Sequence, residues 1–210
     1  MTSDVVGWLW RAVQRAGRIR HGSRQAARFA AFGQGASISF PPDVLHGVNR
    51  IELGADTSVG PHATLSVGML TPLDDRTDPV LTVGERCVLG KGISIVAHAR
   101  IEIGDDTMTG PYVYITDQNH GYEEIDVPVG RQLWRNDPVK IGAGSWLGTG
   151  VVVLPGTNLG RNVTVAAGSV VRGAVPDHCV IAGVPARVIR RYVPDRGWVA
   201  TDPDGTPHDA

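Results

Sequence analysis

An excess of charge of one sign is missing from this chain. Its 210 residues hold 20 Lys and Arg against 21 Asp and Glu, a formal net charge of −1. A general nucleic-acid surface needs a basic excess, so that class of partner is excluded. Cysteine is scarce too, with Cys87 and Cys179 the whole complement. Two widely separated cysteines build neither a disulfide framework nor a metal-type pair, and a reducing cytoplasm is the expected setting. No apolar run approaches the roughly 18 residues of a membrane-spanning helix. The N-terminal apolar stretch is broken by Arg11, Arg15 and Arg18, which a secretory signal segment would not tolerate.

Glycine and proline are plentiful instead, at 27 and 14, too many for a helical domain. A six-residue period explains the glycines. Leu53, Val59 and Leu65 are spaced by six, as are Val83, Leu89 and Ile95, and Ile103, Thr109 and Ile115. The longest run is Ile141, Leu147, Val153, Leu159, Val165 and Val171. Four positions after such residues come small or branched ones: Thr57, Ala63, Cys87, Ala99, Thr107, Ser145, Thr157 and Ser169 among them. A six-residue unit does not fit a helix, whose faces recur every 3.6 residues, but it fits a short strand and a corner. Three units make one triangular coil, and coils stack about 4.8 Å apart. The corners need residues tolerant of left-handed angles, which Asp56, Gly92, Asp106, Gly144, Gly150, Gly156, Asn162 and Gly168 supply. The expected fold is an all-β parallel solenoid.

Three regions follow. Residues 1–30 read as a basic amphipathic helix, with Val5, Leu9, Ala12, Ala16 and Ile19 at helical spacing and Arg11, Arg15 and Arg18 on another face. Such a helix either caps the open end of the solenoid or touches an anionic membrane surface. Residues 31–192 carry the solenoid, interrupted by loops near 66–79 and 116–138. Residues 193–210 read as a mobile tail with Trp198 its one anchor.

Three further segments join the repeat: Ile115-Thr-Asp-Gln-Asn-His120-Gly-Tyr-Glu-Glu124; Ile141 to Thr149 with Val153-Leu-Pro-Gly156; and Ala167 to Arg172 with Ala182-Gly-Val-Pro-Ala-Arg187. Together they resemble the left-handed β-helix acyltransferases, especially the maltose and galactoside O-acetyltransferases and the acetyltransferases of cell-surface polysaccharide clusters. The resemblance covers about residues 50 to 192. It implies an acetyl-CoA-dependent O-acetyltransferase, without an acyl-enzyme and without a metal. It also implies a homotrimer with active sites between subunits. The acceptor would be a hydroxyl-bearing small molecule, sugar, glycan or glycolipid.

The resemblance gives His120 the role of general base, a task suited to imidazole because its pKa lies near neutrality. It places Trp146, Gly148, Thr149, Ala167 and Gly168 along coenzyme A, with Arg172, Arg187 and Arg190 as candidates for its phosphates. His98 and Gln118 hold matching places one coil apart, and with Asn119, Tyr122 and Glu123 they are candidates for contacting the acceptor. Glu123, Glu124 or a backbone carbonyl would orient His120. The stretch from Leu89 to His98 lacks the asparagine and aspartate of the maltose and galactoside enzymes, so those sugars are not expected substrates. Two other readings use the same solenoid. One is a γ-carbonic anhydrase-like metal hydratase built on His62, His98 and His120, and the other is a non-catalytic scaffold.

Overall fold

The structure, a computed structural model, describes residues 2–68, 78–202 and 206–208. Three parallel sheets wrap one apolar core. Each coil lays a strand on the first, second and third face in turn, for example Ile101–Ile103, Met108–Thr109 and Tyr114–Thr116. The period expected from sequence sets the register. On the first face Leu53 pairs with Val83, Val83 with Ile103, Ile103 with Ile141 and Ile141 with Leu159. On the third face Leu65, Ile95, Ile115, Val153 and Val171 form one continuous column. These side chains are buried because each stacks on its equivalent from the next coil, at about 25 cal/mol per Å² of apolar surface removed from water.

The small-residue slot is buried as well, and its hydroxyls satisfy the corners. Thr57 Oγ1 donates to the Gly84 carbonyl at 2.7 Å and accepts from the Cys87 N–H at 3.0 Å. Thr107 Oγ1 donates to the Gly104 carbonyl at 2.7 Å. Cys87 fills the same slot, and desolvation pushes its thiol up from the ordinary range. Ala99 is the exception and is exposed. Its N–H is taken by the Asp117 carboxylate, which turns this corner outward.

All eight expected corner residues have positive φ. So do His62, Arg86 and Tyr112, which hold the same place in their hexads.

The ends differ from expectation. A helix, α1, spans Thr2–Gly17, but no residue from Asp4 to Arg18 is buried. The covering of the solenoid's first coil comes instead from residues 19–29. Ile19–Arg20 pairs antiparallel with Ser37–Ile38, and Ile19, Ala26 and Phe29 are buried. The expected mobile tail is corrected too. Ala186–Val193 folds back antiparallel on Cys179–Gly183, and Gly197–Thr201 pairs with it in turn. Trp198 packs edge-on against Tyr192, at 6.0 Å between ring centroids, which holds that last hairpin. Most of the expected 66–79 loop, at 69–77, lies outside the described residues, as do 203–205 and 209–210 of the tail.

Candidate active site

The long loop after the third-face strand Tyr114–Thr116 has structure of its own. Gln118–His120 leaves the sheet and pairs antiparallel with Trp134–Asn136, placing His120 opposite Trp134. This hairpin stands at the corner between the third face and the first. A cleft of about 680 Å³ opens there, and Gln118, Asn119, His120 and Tyr122 line it together with Arg135, Asp137 and the Leu154–Gly156 corner. Arg172 and Gly173, two coils further on, close the same cleft.

Asp117 anchors the entry to this loop. It is fully buried, and its carboxylate accepts the N–H groups of His98, Ala99 and Arg100 at 2.8, 2.8 and 2.7 Å. Buried polar groups are costly unless paired, and here one carboxylate satisfies three turning amides at once. The carbonyl of Asp117 also accepts the Asp137 N–H at 2.8 Å, tying both ends of the loop together.

Trp134 stands beside two imidazoles. The His98 ring lies 5.6 Å from it at 78°, and the His120 ring 6.0 Å at 88°, both edge-on. Burial pushes the His98 imidazole down from its ordinary pKa, against the opposing pull of Asp117. His120 is half-buried. Its Nδ1 is buried and has no hydrogen-bond partner among the described residues. His120 lines the cleft, and with Nδ1 buried a proton transfer there would use Nε2.

Glu123 does not orient His120. Its Oε2 accepts the Tyr122 N–H at 2.9 Å and its Oε1 accepts from Arg135 at 2.8 Å. Those partners, the backbone amide first, hold the carboxyl below the usual range. Glu124 contributes its backbone, donating to and accepting from the Gln132 amide. Among the described residues no carbonyl meets the imidazole either, so the orienting contact is the ring of Trp134, which sequence reasoning missed. The loop also carries Tyr122, Ile125, Val127, Val129 and Leu133, so nothing in the sequence sets Trp134 apart.

The expected coenzyme A residues do not gather in the cleft. Trp146 lies exposed on the second face, and Gly148, Thr149, Ala167 and Gly168 follow toward the corner between the second and third faces. Arg187 and Arg190 sit on the C-terminal strand beyond the second face. Only Arg172 of that set reaches the His120 cleft. Within one chain the two groups occupy different corners of the prism. His62 is on the corner remote from His120 and is paired with Asp43 at 3.1 Å. Among the described residues no group of three or more His, Cys, Asp or Glu side chains is arranged to hold a metal ion.

Residues 138–173 match the family described as Bacterial transferase hexapeptide (six repeats). The Escherichia coli protein named "Putative lipopolysaccharide biosynthesis O-acetyl transferase WbbJ" is 37% identical over 140 residues, covering 63% of this chain and 70% of that one. The chain belongs to the hexapeptide-repeat transferases. A Mycobacterium tuberculosis protein named a probable acetyltransferase is 32% identical over 159 residues, 73% of this chain. The chain spans 53% of that relative's length. An N-acyltransferase from Bacillus cereus, solved with dTDP-4-amino-4,6-dideoxyglucose and coenzyme A, shares the fold at a TM-score of 0.69. It is 17% identical, with 82% of this chain and 89% of that one covered. This hexapeptide-repeat transferase therefore has the left-handed β-helix of its family, and its long-loop hairpin carries the histidine-lined cleft.

Proposed function

We propose that this protein transfers an acetyl group from acetyl-coenzyme A to a hydroxyl of a sugar, glycan or glycolipid. The observation that carries this reading is the cleft at the loop entry. There His120 stands on a paired strand, its Nδ1 buried and its ring held against Trp134. His120 Nε2 takes the proton from the acceptor hydroxyl as the oxygen attacks the thioester carbon. The carbon–sulfur bond then breaks, and the imidazolium returns its proton to the departing coenzyme A thiolate. No acyl-enzyme forms. Cys87 and Cys179 are buried and their thiols are pushed up by desolvation, which suits packing rather than attack.

A hydroxyl acceptor is favoured over an amine by the sequence relative named an O-acetyl transferase, since the N-acyltransferase is similar in fold alone. Gln118, Asn119 and Tyr122 line the cleft and would meet the acceptor. Arg172 would meet a donor phosphate there. Trp146, Thr149 and Gly168 stand at another corner, so a donor touching both sets needs two copies of the chain. A site between subunits is the arrangement this favours; the homotrimer comes from the resemblance alone, and the cytoplasmic setting from the scarcity of cysteine.

The test is calorimetric titration of the full chain with acetyl-coenzyme A, followed by a transfer assay on hydroxyl and amino sugars. Saturable binding near one site per chain and acetylation of hydroxyls are expected. No heat at millimolar donor would overturn the donor assignment, and transfer confined to amines would overturn the hydroxyl.

A further inference from the structure

The outer face of α1 has no occupant among the described residues. Val5, Val6, Trp8, Leu9, Trp10 and Val13 are all exposed, at 46–66%. Helical geometry of about 100° per residue spreads Trp8, Ala12, Val5, Ala16, Leu9, Val13, Val6 and Trp10 over an apolar arc of about 200°. Trp8 ends that arc on one side and Trp10 on the other. Arg11 and Arg15 fall on the opposite, polar side with Gln14 and Asp4. The helix approaches the solenoid closely at its C-terminal end, beside Phe40. A Cβ on Gly17 would run into the ring of Phe40, so glycine there lets the helix end press against the first coil.

Charge is distributed to match. Residues 1–30 hold six arginines (11, 15, 18, 20, 24 and 28) against the single acid Asp4, although the whole chain is at −1. Arg11, Arg15, Arg18, Arg20, Arg24 and Arg28 are all exposed. No helix among the described residues is long and apolar enough to cross a membrane. A broad apolar arc bounded by indoles and backed by arginines is the chemistry of a helix lying in a bilayer interface. The apolar face enters the headgroup–acyl boundary, the indoles sit at headgroup depth, and the arginines meet lipid phosphates.

We propose that α1 holds this protein on an anionic bilayer surface as a peripheral anchor. The bound surface is the lipid itself, and arginine is the residue that phosphate esters recognise best because of its planar, multi-donor guanidinium. The anchor is independent of the acetyl-transfer reading, since none of its residues belongs to the His120 cleft. It would hold the solenoid at the surface where a lipid-linked acceptor would be presented.

The experiment is flotation of the full chain with vesicles of phosphatidylcholine alone and with about 30% phosphatidylglycerol. Subunit size is followed in parallel by light scattering. Flotation with the anionic vesicles is expected, weakening as salt rises because exposed charges are screened beyond a Debye length of about 10 Å at 0.1 M. Trp8→Ser/Trp10→Ser and Arg11→Glu/Arg15→Glu should each reduce flotation more than tenfold while subunit size and melting temperature stay unchanged. Absence of flotation with anionic vesicles would overturn the proposal. So would dissociation of the assembly by Trp8→Ser/Trp10→Ser, which would assign the face to a second copy of the chain.

Discussion

His120 depends on its neighbours for position rather than for charge. Its Nδ1 has no partner among the described residues, and Glu123 is committed to Arg135 and a backbone amide. Changing His120 to Ala should lower kcat by about 10²–10⁴-fold, the usual contribution of a general base. Acetyl-coenzyme A affinity and melting temperature should stay near wild type, and a variant retaining more than about a tenth of the rate would remove the base assignment. If His120 is the base proposed above, Trp134 would act through it as a positioning residue. Trp134→Ala should cut kcat at least about tenfold with little change in the donor KM, and Trp134→Phe should restore most of it by renewing an edge-on contact. Equal loss in both variants would assign Trp134 a packing role alone. His98, on the other side of the same ring, is held toward its neutral form by burial. Its folded pKa lies below the unfolded value of about 6.5, so the unfolded chain binds more protons as pH falls below that value. Stability is therefore retained above about pH 6.5 and declines on the acid side. His98→Gln should flatten the fall in melting temperature between pH 7 and 5.5, and an unchanged slope would locate the acid sensitivity elsewhere. His120 stands out in the sequence as a candidate because a histidine sits at the entry to a long loop, although the structure puts it on that loop's own hairpin, past the third-face strand. Trp134 does not, because the pairing that brings residue 134 opposite residue 120 follows no repeat.

The hexad is the element that sequence read best. Register, core residues and first-face strands follow from the six-residue period, since a slip of one residue would turn the aliphatic column outward. Corners were read from composition and therefore incompletely. Glycine, Asn and Asp at the fourth place announced left-handed angles, whereas His62, Arg86 and Tyr112 adopt the same angles without announcing them. The coil geometry imposes the conformation there, at a cost of about 1–2 kcal/mol that the surrounding ladder offsets. Asp117 was equally hidden. It reads as one more polar loop residue, yet it is buried and accepts three amides where the chain turns out of its coil. Asp117→Asn would put an amide donor against N–H groups that need an acceptor. A loss of about 2–3 kcal/mol in urea unfolding is expected, the range for hydrogen bonds to a charged group left unmade. A change under about 0.5 kcal/mol would mean the corner finds other acceptors.

At the scale of the whole molecule, the solenoid separates the two groups of residues that the proposed transfer would combine. His120 and Arg172 share the third-to-first corner, and Trp146, Thr149 and Gly168 run along the second face and its far corner. The second face also carries an exposed apolar ladder, Val88 beside Met108 beside Trp146, which one chain leaves in water. A rigid prism cannot fold one corner onto another, so a site using both sets is completed by a second subunit. That arrangement predicts complementation. His120→Ala and Trp146→Ala homomers should each be nearly inactive. When the two are unfolded together and reassembled, some interfaces pair an intact His120 from one subunit with an intact Trp146 from its neighbour. Random assortment in a closed ring makes roughly one interface in four intact, so activity should return to about a quarter of wild type. Activity no higher than the average of the two parents, from a mixture confirmed to have exchanged subunits, would place the whole site on one chain. The corner carrying Trp146 would then be left without a part in acetyl transfer.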